Sequence, residues 1–291
     1  MNDSVHTFVT DSPEQAARYI NNGGIVAFPT ETVYGLGAGI DHPEAIERIF
    51  SAKGRPQDNP LIVHIAFPDD IVNVSIRLTP DAETLVRHFF PGPLTIVVKK
   101  KPCVPASVTA GLDTVGIRCP SSTKARELLR RCTSPVAAPS ANLSGRPSST
   151  NWKTVLEDLD GKIDCILKGE ACEIGLESTI VECSGTTPQL LRAGAVTLEA
   201  LQAVTPSIVA DSTTPEQHTP RSPGLKYAHY APTARIVTIR CDRSTPFLQG
   251  IASAAYIGLS DPPAEGFTLV RRCATLDEYA HASAKDRKSV V

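Results

Sequence analysis

Helical and strand-type spacing take turns along residues 12–204 of this 291-residue chain, and such alternation admits few architectures besides an α/β domain built on a sheet. Ser12-Pro13-Glu14-Gln15 reads as a capping box with proline at the first helical position, and Gly23-Gly24 closes that helix before a strand over Ile25 to Phe28. Ala45, Ile46, Ile49 and Phe50 give Pro43 to Ala52 a helical apolar face, whereas Leu61 to Ile65 is β-branched and short enough for a strand. Further helices are expected at Pro80 to Phe90, Thr123 to Arg131, Asn151 to Leu159 and Leu198 to Val204. Strands are expected through Leu94 to Val98, Gly116 to Cys119, Val136 to Ala138, Cys165 to Leu167 and Thr179 to Glu182. Alternation alone points to a doubly wound parallel sheet.

Two places on this frame carry chemistry. Ser51-Ala52-Lys53-Gly54-Arg55-Pro56, followed by Asn59-Pro60-Leu61-Ile62-Val63-His64, gathers two cations, an amide and an imidazole where a helix hands over to a strand. Gly54 permits a tight exit and Pro56 stops the helix, so Lys53 and Arg55 fall outside an ordinary solvated i, i+4 face. An isolated Lys-x-Arg is most often a plain surface pair. Farther on, the small-residue strand before Pro139 ends at Ser140 and Asn142. Residues two apart on extended backbone face the same way and can grip one ligand together. A turn in which Ser and Asn satisfy their own backbone is the plain alternative.

Composition narrows the classes. The net charge of −2 argues against a protein whose main work is coating nucleic acid. Lys99-Lys100-Lys101 closes a strand, where lysines more often guard a solvated edge than bind RNA. The eight cysteines include no Cys-x-x-Cys pair, so neither a zinc site nor a redox motif is suggested, and reduced, mostly buried thiols are expected. Met1-Asn2-Asp3-Ser4 opens no charged-then-apolar leader, and no apolar run approaches the ~20 residues of a membrane helix. A cytoplasmic protein is the expectation. No Gly-x-x-x-x-Gly-Lys-[Ser/Thr] loop is present, which sets aside a standard P-loop ATPase.

The Lys-x-Arg and Ser-x-Asn pairs do not stand alone. Phe28-Pro29-Thr30-Glu31-Thr32-Val33-Tyr34-Gly35-Leu36, Pro91-Gly92-Pro93-Leu94-Thr95, Val115-Gly116-Ile117-Arg118-Cys119-Pro120, Glu177-Ser178-Thr179-Ile180-Val181 and Leu191-Arg192-Ala193-Gly194 accompany them in a fixed order. Together these stretches resemble the YrdC-type threonylcarbamoyl-AMP synthases in their long, two-domain form. The resemblance implies a twisted mixed sheet around a large cavity, followed by a small Rossmann-like α/β domain, and this replaces the parallel-sheet expectation. It divides the chain into a catalytic domain over 1–204, a linker over 205–232 and the small domain over 233–291. The linker is rich in Thr, Pro and Ser, yet its second half, Ser222-Pro223-Gly224-Leu225-Lys226-Tyr227-Ala228-His229-Tyr230-Ala231-Pro232, resembles the family's active-site lid. In the small domain a strand is expected at Arg235 to Arg240, a helix near Phe247 to Ala254 and a strand near Phe267 to Val270. After Leu276-Asp277-Glu278-Tyr279-Ala280 the chain departs from the family pattern, leaving truncation and a natural short form both open.

The activity that the resemblance implies is ATP-dependent formation of threonylcarbamoyl-AMP from L-threonine and bicarbonate with release of pyrophosphate. The implied cofactor is Mg2+ carried by the ATP phosphates, and no protein metal site is implied. The implied partner is a downstream tRNA threonylcarbamoyl transferase, with weak tRNA or double-stranded RNA binding as an added expectation. Carried over by position, the threonine pocket falls on Thr32, His64, Arg118, the backbone at Ala138, and Ser178. The nucleotide side falls on Lys53, Arg55, Asn59, Thr114, Ser140, Asn142, Ser148, Arg192 and Tyr230, with Lys53 and Arg55 as the catalytic pair. Glu31 and Glu177 flank the threonine stretches, where metal binding and orientation of Lys53 are both open. His64 is a candidate to deprotonate the threonine ammonium. The rivals are a non-catalytic double-stranded RNA- or tRNA-binding or ribosome-maturation module, and a carbamoyl-adenylate former of the kind found in hydrogenase maturation.

Overall fold

The computed structural model describes residues 6–210 together with the backbone of two strands at 255–258 and 269–272. The chain divides into two units, Met1–His229 and Tyr230–Val291. In the first, the strands are β1 (Phe8–Thr10), β2 (Val26–Phe28), β3 (Gly35–Gly39), β4 (Ile62–His64), β5 (Leu94–Lys99), β6 (Thr114–Arg118), β7 (Val136–Ala138), β8 (Cys165–Leu167), β9 (Thr179–Glu182), β10 (Gln189–Arg192) and β11 (Val209–Ala210). The helices are α1 (Pro13–Asn21), α2 (Pro43–Lys53), α3 (Pro80–Phe89), α4 (Ala106–Thr109), α5 (Thr123–Leu129), α6 (Trp152–Leu159) and α7 (Leu198–Val204). In the second unit, β12 (Ala255–Gly258) and β13 (Leu269–Arg272) pair in parallel. β13 overlaps the strand expected near Phe267 to Val270. The expected strand at Arg235 to Arg240, the helix near Phe247 to Ala254 and the proposed lid residues 211–232 lie outside the described residues.

The eleven strands of the first unit form one sheet in the order β1-β8-β2-β3-β7-β4-β6-β5-β9-β10-β11. It is mixed. Pairs such as β4·β6 and β5·β9 are parallel, whereas β2·β3, β3·β7, β4·β7 and β5·β6 are antiparallel. The physical reason is visible at β2 and β3, whose connection is too short for the crossover helix that a parallel return needs. Helices cover both faces. Ala16, Ala17 and Ile20 of α1 and Ala125 and Leu128 of α5 pack with Val26 and Phe28, while Ile46 and Ile49 of α2 share the other core with Ala27 and Leu36. Val26 and Phe28 thus face one way and Ala27 the other, as the period-two pleat requires.

Local signals act much as expected, with two changes. Ser12 caps α1 by accepting from Gln15 N, but the Gln15 carboxamide bonds the Thr10 hydroxyl, so only half of the capping box forms. The Lys99-Lys100-Lys101 run does not guard an edge, because β5 lies between β6 and β9. Each lysine is tied locally: Lys99 to Asp113, Lys100 to the Val104 carbonyl and Lys101 to the Val72 carbonyl. Among the described residues, Cys119, Cys165, Cys172 and Cys183 are buried free thiols, Cys132 is half-buried and Cys103 is exposed. No helix of the described residues is long and apolar enough to cross a membrane.

Candidate active site

Sheet order explains how distant stretches meet. β4 lies between β6 and β7, with His64 opposite both Arg118 and Val136, and Ile62 opposite both Gly116 and Ala138. One end of these strands therefore carries His64 and Arg118. The other end leads to Asn59, Thr114 and the Pro139-to-Asn142 turn. Thr114 and Arg118 bound the same strand and stand about 13 Å apart at ordinary strand rise.

At the second end, α2 closes in a Schellman motif. Arg55 N donates to Phe50 O and Gly54 N to Ser51 O, with Gly54 at φ +59°, the left-handed conformation that glycine adopts without strain. That exit drives Lys53 inward, where it is 3 % exposed. Its Nζ donates to the carbonyls of both Ser140 and Asn142, and Ser144 N donates back to Lys53 O. Ser140 and Asn142 do act together, but through their backbone oxygens. The Asn142 carboxamide donates to Leu143 O and Arg146 O, leaving a buried Oδ1 with no hydrogen bond among the described residues. Arg55 donates to Asn59 O and Pro60 O, which fixes the chain entering β4, and the Asn59 Oδ1 is likewise buried and unbonded. Burial, with Arg55 adding to it and Asp158 opposing, lowers the Lys53 pKa to about 7. Lys53 also lines a recess of about 730 Å³ with Gly54, Ser144, Arg146 and Lys162.

The first end is built from three loops. Ile174 N and Gly175 N donate to the carbonyls of Glu31 and Thr32, latching the segment before Ser178 onto the turn after β2. Thr30 Oγ1 donates to Val33 O and stands 3.0 Å from Thr32 Oγ1. Ser178 Oγ lies 2.8 Å from Thr95 Oγ1, and Arg192 donates to Ser178 O at 2.9 Å and to its hydroxyl at 3.3 Å. Ser148 Oγ donates to Glu177 Oε1 at 2.7 Å. Gly194 shows why this corner requires a glycine: a Cβ there would come within 2.5 Å of Glu177 O and of Thr179 N. Burial lowers the Arg192 pKa to about 10, with Glu177 opposing and Arg118 reinforcing the shift.

Arg118 sits among these groups. Its Nη2 is 2.7 Å from Glu31 Oε1, and both side chains are 5 % exposed. The contact is one of charge without hydrogen-bond alignment, because Nε and Nη2 of Arg118 and both Glu31 oxygens lack a hydrogen bond among the described residues. His64 Nδ1 is 3.0 Å from Ile62 O, and its ring meets Phe28 edge-on at 5.7 Å. Burial, reinforced by Arg118, drives the His64 pKa down to about 3, so the ring is neutral and a weak base near neutrality. That argues against His64 as the group that deprotonates an ammonium. Orientation of Lys53 by Glu31 is set aside as well, since Glu31 pairs with Arg118 and the charges acting on Lys53 are Arg55 and Asp158.

The structure gathers His64, Arg118, Ser178 and Arg192 around the first end, and Lys53, Arg55, Asn59, Thr114, Ser140 and Asn142 around the second, with Ala138 on the strand between. Thr32 and Ser148 lie on loops that bridge the two ends: Tyr34 N donates to Ser149 O and Ala141 N to Tyr34 O, while Glu31 meets Arg118 and Ser148 bonds Glu177. Tyr230 lies outside the described residues. Sequence reasoning left out Thr95, which sits within the quoted Pro91-to-Thr95 stretch, and Asp158, whose place on an amphipathic helix gave no signal. It also left Glu31 without a partner. Among the described residues no group of three or more His, Cys, Asp or Glu side chains is placed to hold a metal ion.

Comparison with known proteins places this geometry in a family. Residues 18–194 match the Sua5/YciO/YrdC family described as "Telomere recombination", and residues 196–282 match "Threonylcarbamoyl-AMP synthase, C-terminal domain". A protein of Bacillus subtilis named threonylcarbamoyl-AMP synthase is 46% identical over 244 residues, covering 82% of this chain and 70% of the relative. One of the same name from Pyrococcus abyssi is 44% identical over 234 residues, covering 78% and 68%. The crystal structure of P. abyssi Sua5 complexed with L-threonine superimposes with a TM-score of 0.87 at 36% identity, covering 98% of this chain and 88% of that one. The chain belongs to the Sua5/YciO/YrdC family, in the form that carries the C-terminal domain of threonylcarbamoyl-AMP synthases.

Proposed function

We propose that this chain makes threonylcarbamoyl-AMP from L-threonine, bicarbonate and ATP, releasing pyrophosphate, and that a downstream transferase passes the threonylcarbamoyl group to the adenosine beside the anticodon of tRNA. The observation that carries this reading is the pairing of two differently equipped ends along β4, β6 and β7. One holds a buried guanidinium among small hydroxyls, suited to a small β-hydroxy amino acid. The other holds Lys53 and Arg55, suited to phosphates. The names of the relatives point the same way.

The chemistry has two steps. Threonine ammonium and bicarbonate give the N-carboxylate, one water and one proton. A carboxylate oxygen of that carbamate then attacks the α-phosphorus of ATP, the α–β anhydride breaks, and pyrophosphate leaves. Carbamates decompose in water, so holding the nucleophile in line in a dry site supplies much of the rate. Arg118 clamps the threonine carboxylate, and Thr32, Ser178 and the neutral His64 shape the pocket around the side chain with the Ala138 backbone. Lys53 and Arg55 face the phosphates, where charge grows as the five-coordinate state forms, while Arg192 stands at the threonine end, donating to Ser178. Asn59, Thr114, Ser140, Asn142 and Ser148 complete the nucleotide side. Magnesium would arrive with the ATP as part of the substrate and would offset part of the phosphate charge, with Lys53 and Arg55 supplying the rest from the protein. A lysine poised near neutrality suits this site, because an arriving triphosphate restores its proton.

The test is to supply ATP, magnesium, bicarbonate and each amino acid in turn to the full chain and to measure pyrophosphate. Release that requires both threonine and bicarbonate is expected. Release with another amino acid would reassign the pocket, and no release with any would remove the synthase reading.

A further inference from the structure

The Arg118–Glu31 pair has more bonding capacity than its own contact uses. Both side chains are almost fully enclosed, they meet at 2.7 Å, and yet Nε and Nη2 of the guanidinium and both oxygens of the carboxylate have no hydrogen bond among the described residues. Buried charged groups in folded proteins are normally satisfied, and a half-satisfied buried pair is costly to keep. Glu31 is held in place by its own backbone, because its carbonyl accepts Ile174 N while Thr30 and Thr32 on either side engage each other's hydroxyls. Its carboxylate therefore faces Arg118 by construction.

A ligand that completes such a pair must itself carry one negative and one positive group a few bonds apart. The carboxylate would take the guanidinium and the cation would take the carboxylate. This replaces one imperfect internal contact by two well-bonded external ones without bringing any net charge into the interior. An α-amino acid zwitterion has this form. We propose that Glu31 receives the α-amino group of the substrate, so that Glu31 and Arg118 together read the zwitterion, while the hydroxyls of Thr32 and Ser178 read the side chain. The inference deepens the synthase reading and rests on it. It assigns to Glu31 the task of holding the nitrogen that becomes carboxylated. After that step the nitrogen still has one N–H, which continues to donate to Glu31 and so anchors the carbamate nitrogen in one place while its new carboxylate turns toward the phosphates.

The experiment is calorimetric binding, without ATP, of L-threonine and of its analogue 3-hydroxybutyrate, which keeps the carboxylate and the β-hydroxyl but has hydrogen in place of the amine, to the full-length wild type and to Glu31→Gln and Glu31→Asp. The wild type is expected to prefer L-threonine strongly. Glu31→Gln is expected to lose about 30-fold or more in affinity for L-threonine, the scale for losing one partner of a buried charge pair, while its affinity for the analogue is unchanged or improved. Glu31→Asp, which keeps the charge, is expected to retain the preference for the amine and supplies the answer should Glu31→Gln fail to fold. Equal weakening of both ligands in Glu31→Gln would show that Glu31 only orients Arg118 and would overturn the proposal, as would full retention of threonine affinity. If the wild type itself binds no threonine, the synthase reading falls and this inference with it. If the wild type binds threonine but the variants do not discriminate as described, only the role of Glu31 falls.

Discussion

Replacing Lys53 by methionine, which keeps most of the length of the side chain and removes its charge, isolates the most perturbed cation on the nucleotide side. The native pKa near 7 lies well below the ordinary 10.5. Between those values the unfolded chain binds more protons at this position than the native protein does, so native stability rises with pH across that window. Below the native pKa the full penalty applies, and above the unfolded value it is gone. For one such group, the wild type gains about 2 kcal/mol relative to Lys53→Met between roughly pH 7 and pH 9. The assay is urea unfolding of both proteins across that range, reading the difference in free energy rather than either absolute value. Methionine also strands the carbonyls of Ser140 and Asn142, which offsets the whole Lys53→Met curve but leaves its slope alone. Parallel curves would refute the reasoning, since they would mean that the two carbonyls hold the proton at its ordinary pKa. With ATP present the slope is expected to shrink, because bound phosphate restores the charge.

Other expectations test the frame around the site. Gly194→Ala drives a methyl into the backbone from Glu177 to Thr179. Threonine binding is expected to fall at least tenfold, the scale of about 1.4 kcal/mol, and the melting temperature to fall with it because the methyl meets backbone that must shift; calorimetry and a thermal scan read the two effects. Thr179→Val removes a hydroxyl that both donates to Val196 O and accepts from Val196 N, leaving both buried groups unbonded. A stability loss of about 2–4 kcal/mol is expected in denaturant unfolding. Asp158→Asn takes the charge from a carboxylate that bonds Arg146 and assists Lys53. Activity near neutral pH is expected to drop, and the Lys53-dependent slope of stability is expected to begin at lower pH than in the wild type.

Much of the frame was readable because local chemistry and tertiary structure agree. The helix from Leu198 to Val204 and the strands at Val136, Cys165 and Thr179 form as their spacing and caps direct. β3 escaped notice because Gly35, Gly37 and Gly39 give it no strand propensity. Tertiary crowding explains those glycines, since a Cβ at Gly37 would meet Val136 at 2.5 Å and Phe28 at 2.8 Å. β1 and β10 are short strands whose pairing partners lie elsewhere in the chain, a non-local choice that periodicity does not register. In the site, residue types and motif order marked Lys53, Arg55, Arg118, Ser140 and Asn142. Which atoms they present was hidden. That Lys53 ties two carbonyls together, or that Arg118 closes on Glu31, depends on strand register and on a left-handed helix exit.

The most direct measurement of the central claim is mass spectrometry of the nucleotide product formed by the full chain from L-threonine, ATP and isotopically labelled bicarbonate. The account predicts a threonylcarbamoyl-AMP peak that carries the label, formed with an equal amount of pyrophosphate and lost when threonine is omitted. An adenylate of threonine without the labelled carbon would contradict it, as would ATP cleavage to ADP and phosphate.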